Sequence, residues 1–178
     1  LDEELRRQEI VGISGIDTRA LTRHLRERGA MRVGISTQTT EVAALLERVR
    51  SSPAMEGADL TDQVTTSQPY VVPAIGDLRF TVAAIDLGIK AMTPRRMAER
   101  GIEVHVLPSS TTAEQIETLG ADGVFFSNGP GDPATADYAV DLTRAVLDSG
   151  TPLFGICFGH QIVGRALGLE TYKLVFGH

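Results

Sequence analysis

Three observations predict an α/β protein whose larger part is a doubly wound, mostly parallel sheet. From Leu78 onward, short apolar runs ("LRFTVAAID", "EVHVL", "GVFFS", "PLFGI") alternate with helix-like segments through short links, the pattern of a parallel sheet covered on both faces. The helix-like segments carry start and stop residues at the expected offsets. Two of the strands run directly into glycine-bearing loops, "SNGPGDP" and "GICFGHQ", at the strand ends where such sheets collect their chemistry.

Taken in order, the chain opens on a charged segment, "LDEELRRQEI", with Leu1 rather than methionine, and is expected to be truncated. "DTRALTRHLRERG" reads as a helix: Asp17 is its N-cap, Ala20, Leu21, His24, Leu25 and Arg28 follow helical spacing, and Gly29 can end it in the left-handed conformation. "MRVGIS" alternates as a short strand would, and Val42, Leu45, Leu46 and Val49 mark the buried stripe of a second helix. Helix, strand and helix make a small, incomplete α/β element. Residues 53–77 carry three prolines and little periodicity, and are expected to be an interdomain link or a packed loop.

The second block begins with the strand "LRFTVAAID", broken at "LGIK". Thr93-Pro94 predicts a helix start, cap then proline at the first helical position, with an end near Gly101. After "EVHVL", Thr112 with Gln115 forms a capping box for a short helix ending near Gly120. "GVFFS" and the loop "NGPGDP" precede a helix through Val140, Thr143, Val146 and Leu147, and "PLFGI" leads into Cys157. No repeat or low-complexity tract interrupts the pattern.

Bulk properties narrow the function. A chain 42% hydrophobic and 22% charged is ordinary for a soluble globular protein. The net charge of -6 leaves no electrostatic footprint for nucleic acid or an anionic membrane. No apolar run is long enough to span a bilayer, and no signal-peptide pattern opens the chain. A single cysteine rules out an intrachain disulfide, so a reducing, cytoplasmic setting is expected.

That cysteine stands at a tight corner. "GICFG" has the form Gly-x-nucleophile-x-Gly, the spacing of a nucleophile elbow in which a sharp strand-to-helix turn pushes one side chain outward. At a helix N-terminus Cys157 would meet the positive end of the dipole and unpaired backbone N–H groups, both of which stabilise a negative sulfur. The N–H of Phe158 would point toward charge developing on a tetrahedral intermediate, and Gly129 or Gly131 could supply a second donor. The plain alternative is a buried cysteine acting as a small hydrophobe, with "NGPGDP" no more than a turn.

"GICFGHQ" together with "SNGPGDP" resembles the class I, triad-type glutamine amidotransferases. "ISGIDTRALTRHLRERGAMRVGI" is similar to the N-terminal domain of the carbamoyl-phosphate synthase small-chain family, and "VAAIDLGIK", "SNGPGDP" and "YKLVFGH" fit the same family in the same order. The resemblance implies two parts: residues 1–72, a partial N-terminal small-chain domain with its linker, and residues 78–178, the N-terminal portion of an amidotransferase domain with an incomplete sheet.

It also implies glutamine hydrolysis. Cys157 would be the nucleophile, Gly129 and Phe158 would furnish the oxyanion-hole amides, and Gly129, Gly131, Phe158 and Gln161 would contact glutamine. Position 158 is commonly leucine in the family, so Phe158 bears on pocket shape more than on chemistry. Ammonia would pass to a large-chain partner that uses ATP and Mg and makes carbamoyl phosphate for arginine and pyrimidine synthesis, in a heterodimer. This chain itself would hold no metal or cofactor.

The family's catalytic histidine and glutamate, and a glutamine-binding serine, have no counterpart within residues 1–178, so this length alone is expected to be inactive and to leave an unpaired sheet edge. His160 reads as structural, His24 and His105 as surface or core residues, and His178 as the start of a different family motif. The rivals are a noncatalytic scaffold of a synthetase complex, another class I amidotransferase, and a hydrolase of the α/β-hydrolase type.

Overall fold

The computed structural model describes residues 1–174. Two compact units divide at Ala54/Met55, the start of the stretch expected to be connection, and each is taken by itself.

The first unit contains helices α1 (Asp2–Arg7), α2 (Thr18–Arg28) and α3 (Val42–Ser51). Acidic residues fill the first turn of α1 and Arg6 and Arg7 its last, the order that complements a helix dipole. The Asp17 side chain accepts the N–H of Ala20 at 2.9 Å, capping α2 as expected. Three expectations fail here, one of them in part. Gly29 has a positive φ of 88° but a ψ of 179°, so it leaves the helix extended rather than left-handed. "MRVGIS" is not a strand. Among the described residues of this unit no second strand offers it a ladder, and a strand is defined by its pairing. The segment instead lies against the apolar stripe of α3: a Cβ on Gly34 would come 2.7 Å from Val49 and 3.1 Å from Leu45. The expected buried stripe of α3 is only partly so: Leu45 and Val49 are half-buried where that segment covers them, whereas Val42 and Leu46 are exposed, and no residue of α1, α2 or α3 is fully buried.

The second unit, Met55–Thr171, is built on a five-stranded sheet of order β1-β3-β2-β4-β5. Its strands are β1 (Tyr70–Val72), β2 (Phe80–Asp86), β3 (Ile102–Pro108), β4 (Gly123–Phe126) and β5 (Leu153–Gly155). β2 through β5 run parallel, and β1 pairs antiparallel with β3, Val71 opposite His105. β1 lies inside the 53–77 stretch, so part of the expected connection is an edge strand. Its three residues carry no sequence period long enough to read.

Helix α4 (Met92–Ala98) covers one face, where Met97 packs on Ala84, Val104, Val106 and Phe125. Helices α5 (Ala113–Leu119), α6 (Asp137–Asp148) and α7 (Phe158–Ala166) cover the other, burying Ile85, Phe126, Val140, Val146 and Ile162 together. The capping box of α5 is present on both sides, Gln115 N–H to Thr112 Oγ1 at 3.3 Å and Thr112 N–H to Gln115 Oε1 at 2.9 Å. α4 starts two residues earlier than expected. Its N-cap is Ala91 and Pro94 is its third residue. A first-turn N–H has no intrahelical acceptor in any case, so the proline ring is tolerated there without a lost bond.

The order places the switch point between β2 and β4. The chain leaves β2 toward β3 on one side and reaches β5 from β4 on the other, the point in such a sheet where ligands gather at the carboxyl ends.

Candidate active site

Cys157 is the N-cap of α7 and has φ 55° and ψ -112°. Positive φ at a side-chain-bearing residue is costly, and here it belongs to the turn from β5 into α7. Two glycines make that turn sterically feasible. A Cβ on Gly159 would sit 2.3 Å from the carbonyl oxygen of Phe126, and one on Gly155 would sit 2.6 Å from the carbonyl of Gly159. The turn is thereby seated directly on β4: Ile156 N–H donates to Phe126 C=O at 3.1 Å and Gly159 N–H to Ser127 C=O at 3.0 Å. Cys157 is solvent-exposed, so the buried-hydrophobe reading does not hold.

α7 has no acidic residue in its first turn, which leaves its positive end open to an anion. Gln161 N–H closes the first turn on Cys157 C=O at 3.0 Å. Gln161 itself is half-buried, and Phe158 is buried against the sheet. Among the described residues, no acceptor meets the Phe158 N–H.

The neighbouring loop begins at Ser127, one residue past β4. Ser127 is wholly buried, accepts the N–H of Leu87 at 2.9 Å, and donates its hydroxyl to Asn128 C=O at 2.8 Å. The Asn128 amide reaches Gly88 C=O at 2.8 Å, so the loops after β2 and β4 are tied where the strands part. A Cβ on Gly129 would fall 2.1 Å from the Leu87 carbonyl oxygen. Gly131 has φ 98°, and neither glycine N–H has an acceptor among the described residues.

Register then fixes the neighbourhood: Phe126 stands opposite Gly155, so Gly129 and Gly131 leave the strand adjacent to the one that delivers Cys157, Phe158 and Gln161. The residues singled out from the sequence thus fall at two adjacent strand ends. The histidines take no part in the hydrogen bonds that build this corner. His160 is exposed and its side chain makes no hydrogen bond among the described residues; His24 is exposed on α2; His105 is half-buried on β3, 2.9 Å from Glu103. His178 lies outside the described residues. No group of three or more His, Cys, Asp or Glu side chains among the described residues could hold a metal ion, and no described helix is long and apolar enough to cross a membrane.

Sequence reasoning passed over Asp86 and Asp132. Asp86 folds the "LGIK" loop by accepting from Gly88 and Ile89, and it also accepts Thr66 N–H at 2.8 Å. Asp132 accepts Gly57 N–H at 2.8 Å and Ala134 N–H at 2.9 Å. These backbone donors, Gly57 first, hold its carboxyl below the usual aspartate range. The one sequence signal was Asp before proline, which marks a cap; the partner 75 positions upstream left none.

An elbow cysteine with an open helix end beside a glycine loop is the arrangement expected of an acyl-transfer enzyme, and sequence comparison gives its class. The family profile "Glutamine amidotransferase class-I" matches residues 83–178. The chain belongs to the class I glutamine amidotransferase family. A second profile, "Carbamoyl-phosphate synthase small chain, CPSase domain", matches residues 1–35. The carbamoyl phosphate synthase small chain of Streptomyces coelicolor is 64% identical over 180 residues, covering 100% of this chain and 47% of that protein. Those of Streptomyces avermitilis and Mycobacterium tuberculosis are 67% and 62% identical, over 100% of this chain and 47% and 49% of theirs. The chain therefore spans about half the length of the curated relatives it matches. A crystal structure described as a GMP synthase component from Thermoplasma acidophilum superposes with a TM-score of 0.43 at 21% identity over 52% of this chain and 47% of that one, too distant to bear on the chemistry.

Proposed function

We propose that this chain carries the nucleophile and oxyanion-binding part of the glutamine-hydrolysing subunit of a carbamoyl-phosphate synthase. The Cys157 sulfur attacks the side-chain amide carbon of glutamine, and the oxygen takes up negative charge facing the N–H groups of Phe158 and Gly129. The C–N bond breaks, ammonia leaves with the added proton, and a glutamyl thioester remains. Water then cleaves the thioester to glutamate and restores the thiol. Proton transfer falls to the histidine–glutamate pair of the family pattern. Gly131 and Gln161 hold the amino-acid end of glutamine.

Ammonia passes to a large-chain partner, where ATP and Mg belong, and is built into carbamoyl phosphate for arginine and pyrimidine synthesis in the cytoplasm. The support for the partner is the small-chain profile at residues 1–35 and the likeness to small chains along the full 178 residues.

The observation that carries the reading is the corner itself: an exposed cysteine at φ 55°, heading a helix whose first N–H meets no acceptor among the described residues, one strand from a glycine loop with two more such N–H groups. The full-length protein with its large chain is the sample for the test. A glutamine-site alkylator should add its mass to Cys157, mapped by peptide, and millimolar glutamine should suppress the adduct. Cys157→Ser should lose glutamine-dependent but keep ammonia-dependent synthesis. Alkylation at the pace of an ordinary exposed thiol, indifferent to glutamine, would instead favour a noncatalytic scaffold.

A further inference from the structure

The segment following Met55 crosses the carboxyl ends of three strands. Ser109 N–H, just past β3, donates to Thr65 Oγ1 at 2.9 Å, and Thr66 N–H donates to Asp86 at the end of β2 at 2.8 Å. Its opposite end meets the loop after β4. Asp132 N–H donates to Ala58 C=O at 2.9 Å while Asp132 Oδ2 accepts Gly57 N–H at 2.8 Å. Gly131 lies so close that a Cβ there would stand 2.8 Å from the Ala58 oxygen. On its far side the same loop is tied to α7: Arg165 donates to Pro133 C=O and to Asp137 Oδ1, both at 2.8 Å.

From this arrangement we infer that Asp132 is a positioning residue for glutamine, a two-pronged acceptor that locks the Gly129–Gly131 backbone to residues 57–58. The inference rests on the glutaminase reading above. One prong is an ordinary cap: Oδ1 takes Ala134 N–H and starts the single 3-10 turn Pro133–Thr135. That bond alone would be served by asparagine or serine. The other prong is not local. Oδ2 reaches a donor 75 residues away, and only an acceptor-only group satisfies both donors, because an asparagine would turn its NH2 toward one of them. The carboxylate therefore does what a cap does not require, and what it adds is the placement of the glycine amides one and three residues earlier.

The test compares wild-type full-length protein, assembled with its large chain, with Asp132→Asn and Asp132→Ser. Each variant leaves one acceptor where two donors converge, enough for the Ala134 cap but not for Gly57 as well. The expected result is a glutamine KM raised about tenfold, the scale of one lost charge-assisted hydrogen bond, with a much smaller change in kcat. The rate of Cys157 alkylation without glutamine should stay near wild type, while the glutamine concentration that half-protects it rises in step with KM. Folded variants with unchanged KM and protection would overturn the inference, since a cap alone predicts that outcome. If neither variant folds, Gly57→Ala takes over. It keeps the N–H but strains a backbone at φ 75° where the methyl meets nothing, and KM should rise about threefold; no rise overturns the inference. Wild-type protein that neither hydrolyses glutamine nor is protected by it would remove the glutaminase reading and this inference with it, a result distinct from all of these.

Discussion

The loops leaving β4 and β5 stand at adjacent strand ends and offer backbone N–H groups of the same kind, but they are held by different means. The β5 corner takes all its hydrogen bonds from backbone, with Phe158 buried in the core beside it. Gly155 and Gly159 bring main chain against main chain, and Ile156 and Gly159 donate straight onto β4 and the residue after it. The β4 loop has main-chain contacts too, Gly129 on Leu87, Ser127 N–H on Ile85 C=O and Asp132 N–H on Ala58 C=O, but it adds ties from side chains: Ser127, Asn128, Asp132 and Arg165. The corner that carries the nucleophile is thus bonded directly to the sheet. The glycine loop can be moved by altering residues well outside it.

The largest effect that sharpens this contrast comes from the glycines. Gly159→Ala would press a methyl into the Phe126 carbonyl, and since the obstacle is backbone, the loss should be at or above ~3 kcal/mol. Chemical denaturation of the two proteins measures it. Gly129→Ala, aimed at the Leu87 carbonyl at 2.1 Å, should be comparably severe, and a mild result at either position would blur the distinction.

Next comes acid. The folded Asp132 carboxyl is held below its ordinary value, so its contribution to stability is complete above the unfolded value, about pH 4, and disappears as pH falls through the folded one. Urea midpoints followed from pH 5 downward should fall more steeply in wild type than in Asp132→Asn.

The smallest effect has the opposite sign. Cys157→Gly removes the strain of φ 55° and should raise the stability by up to ~1 kcal/mol, read from the denaturation midpoint, while leaving no thiol for chemistry. A destabilised variant would mean that the cysteine side chain contributes more to the corner than the strain takes away.

Legibility in the sequence divides along the same line. The elbow was readable because Gly155, Cys157 and Gly159 lie within five positions, and the four parallel strands because alternation with helices is a local pattern. The capping box at Thr112 and Gln115 was readable for the same reason. Tyr70–Val72 was not, since three residues beside prolines carry no period and gain strand geometry only by pairing with β3. "MRVGIS" misled in the opposite way: its alternation is real, but no partner strand among the described residues of its unit turns it into a ladder. The register of Asp132 with Gly57 depends on a fold that no short window contains.

Ser127 ends as a matter of which substitutions heredity can accept. β2 and β4 part at this point, so Leu87 N–H has left the ladder and finds its acceptor in a single buried hydroxyl. Alanine would leave that donor dry and unanswered, a loss of ~1–3 kcal/mol, and larger residues have no room at a position without solvent exposure. The alphabet open to this position shrinks toward serine for reasons unconnected with any substrate, so invariance here would report the parting of two strands rather than the chemistry next door.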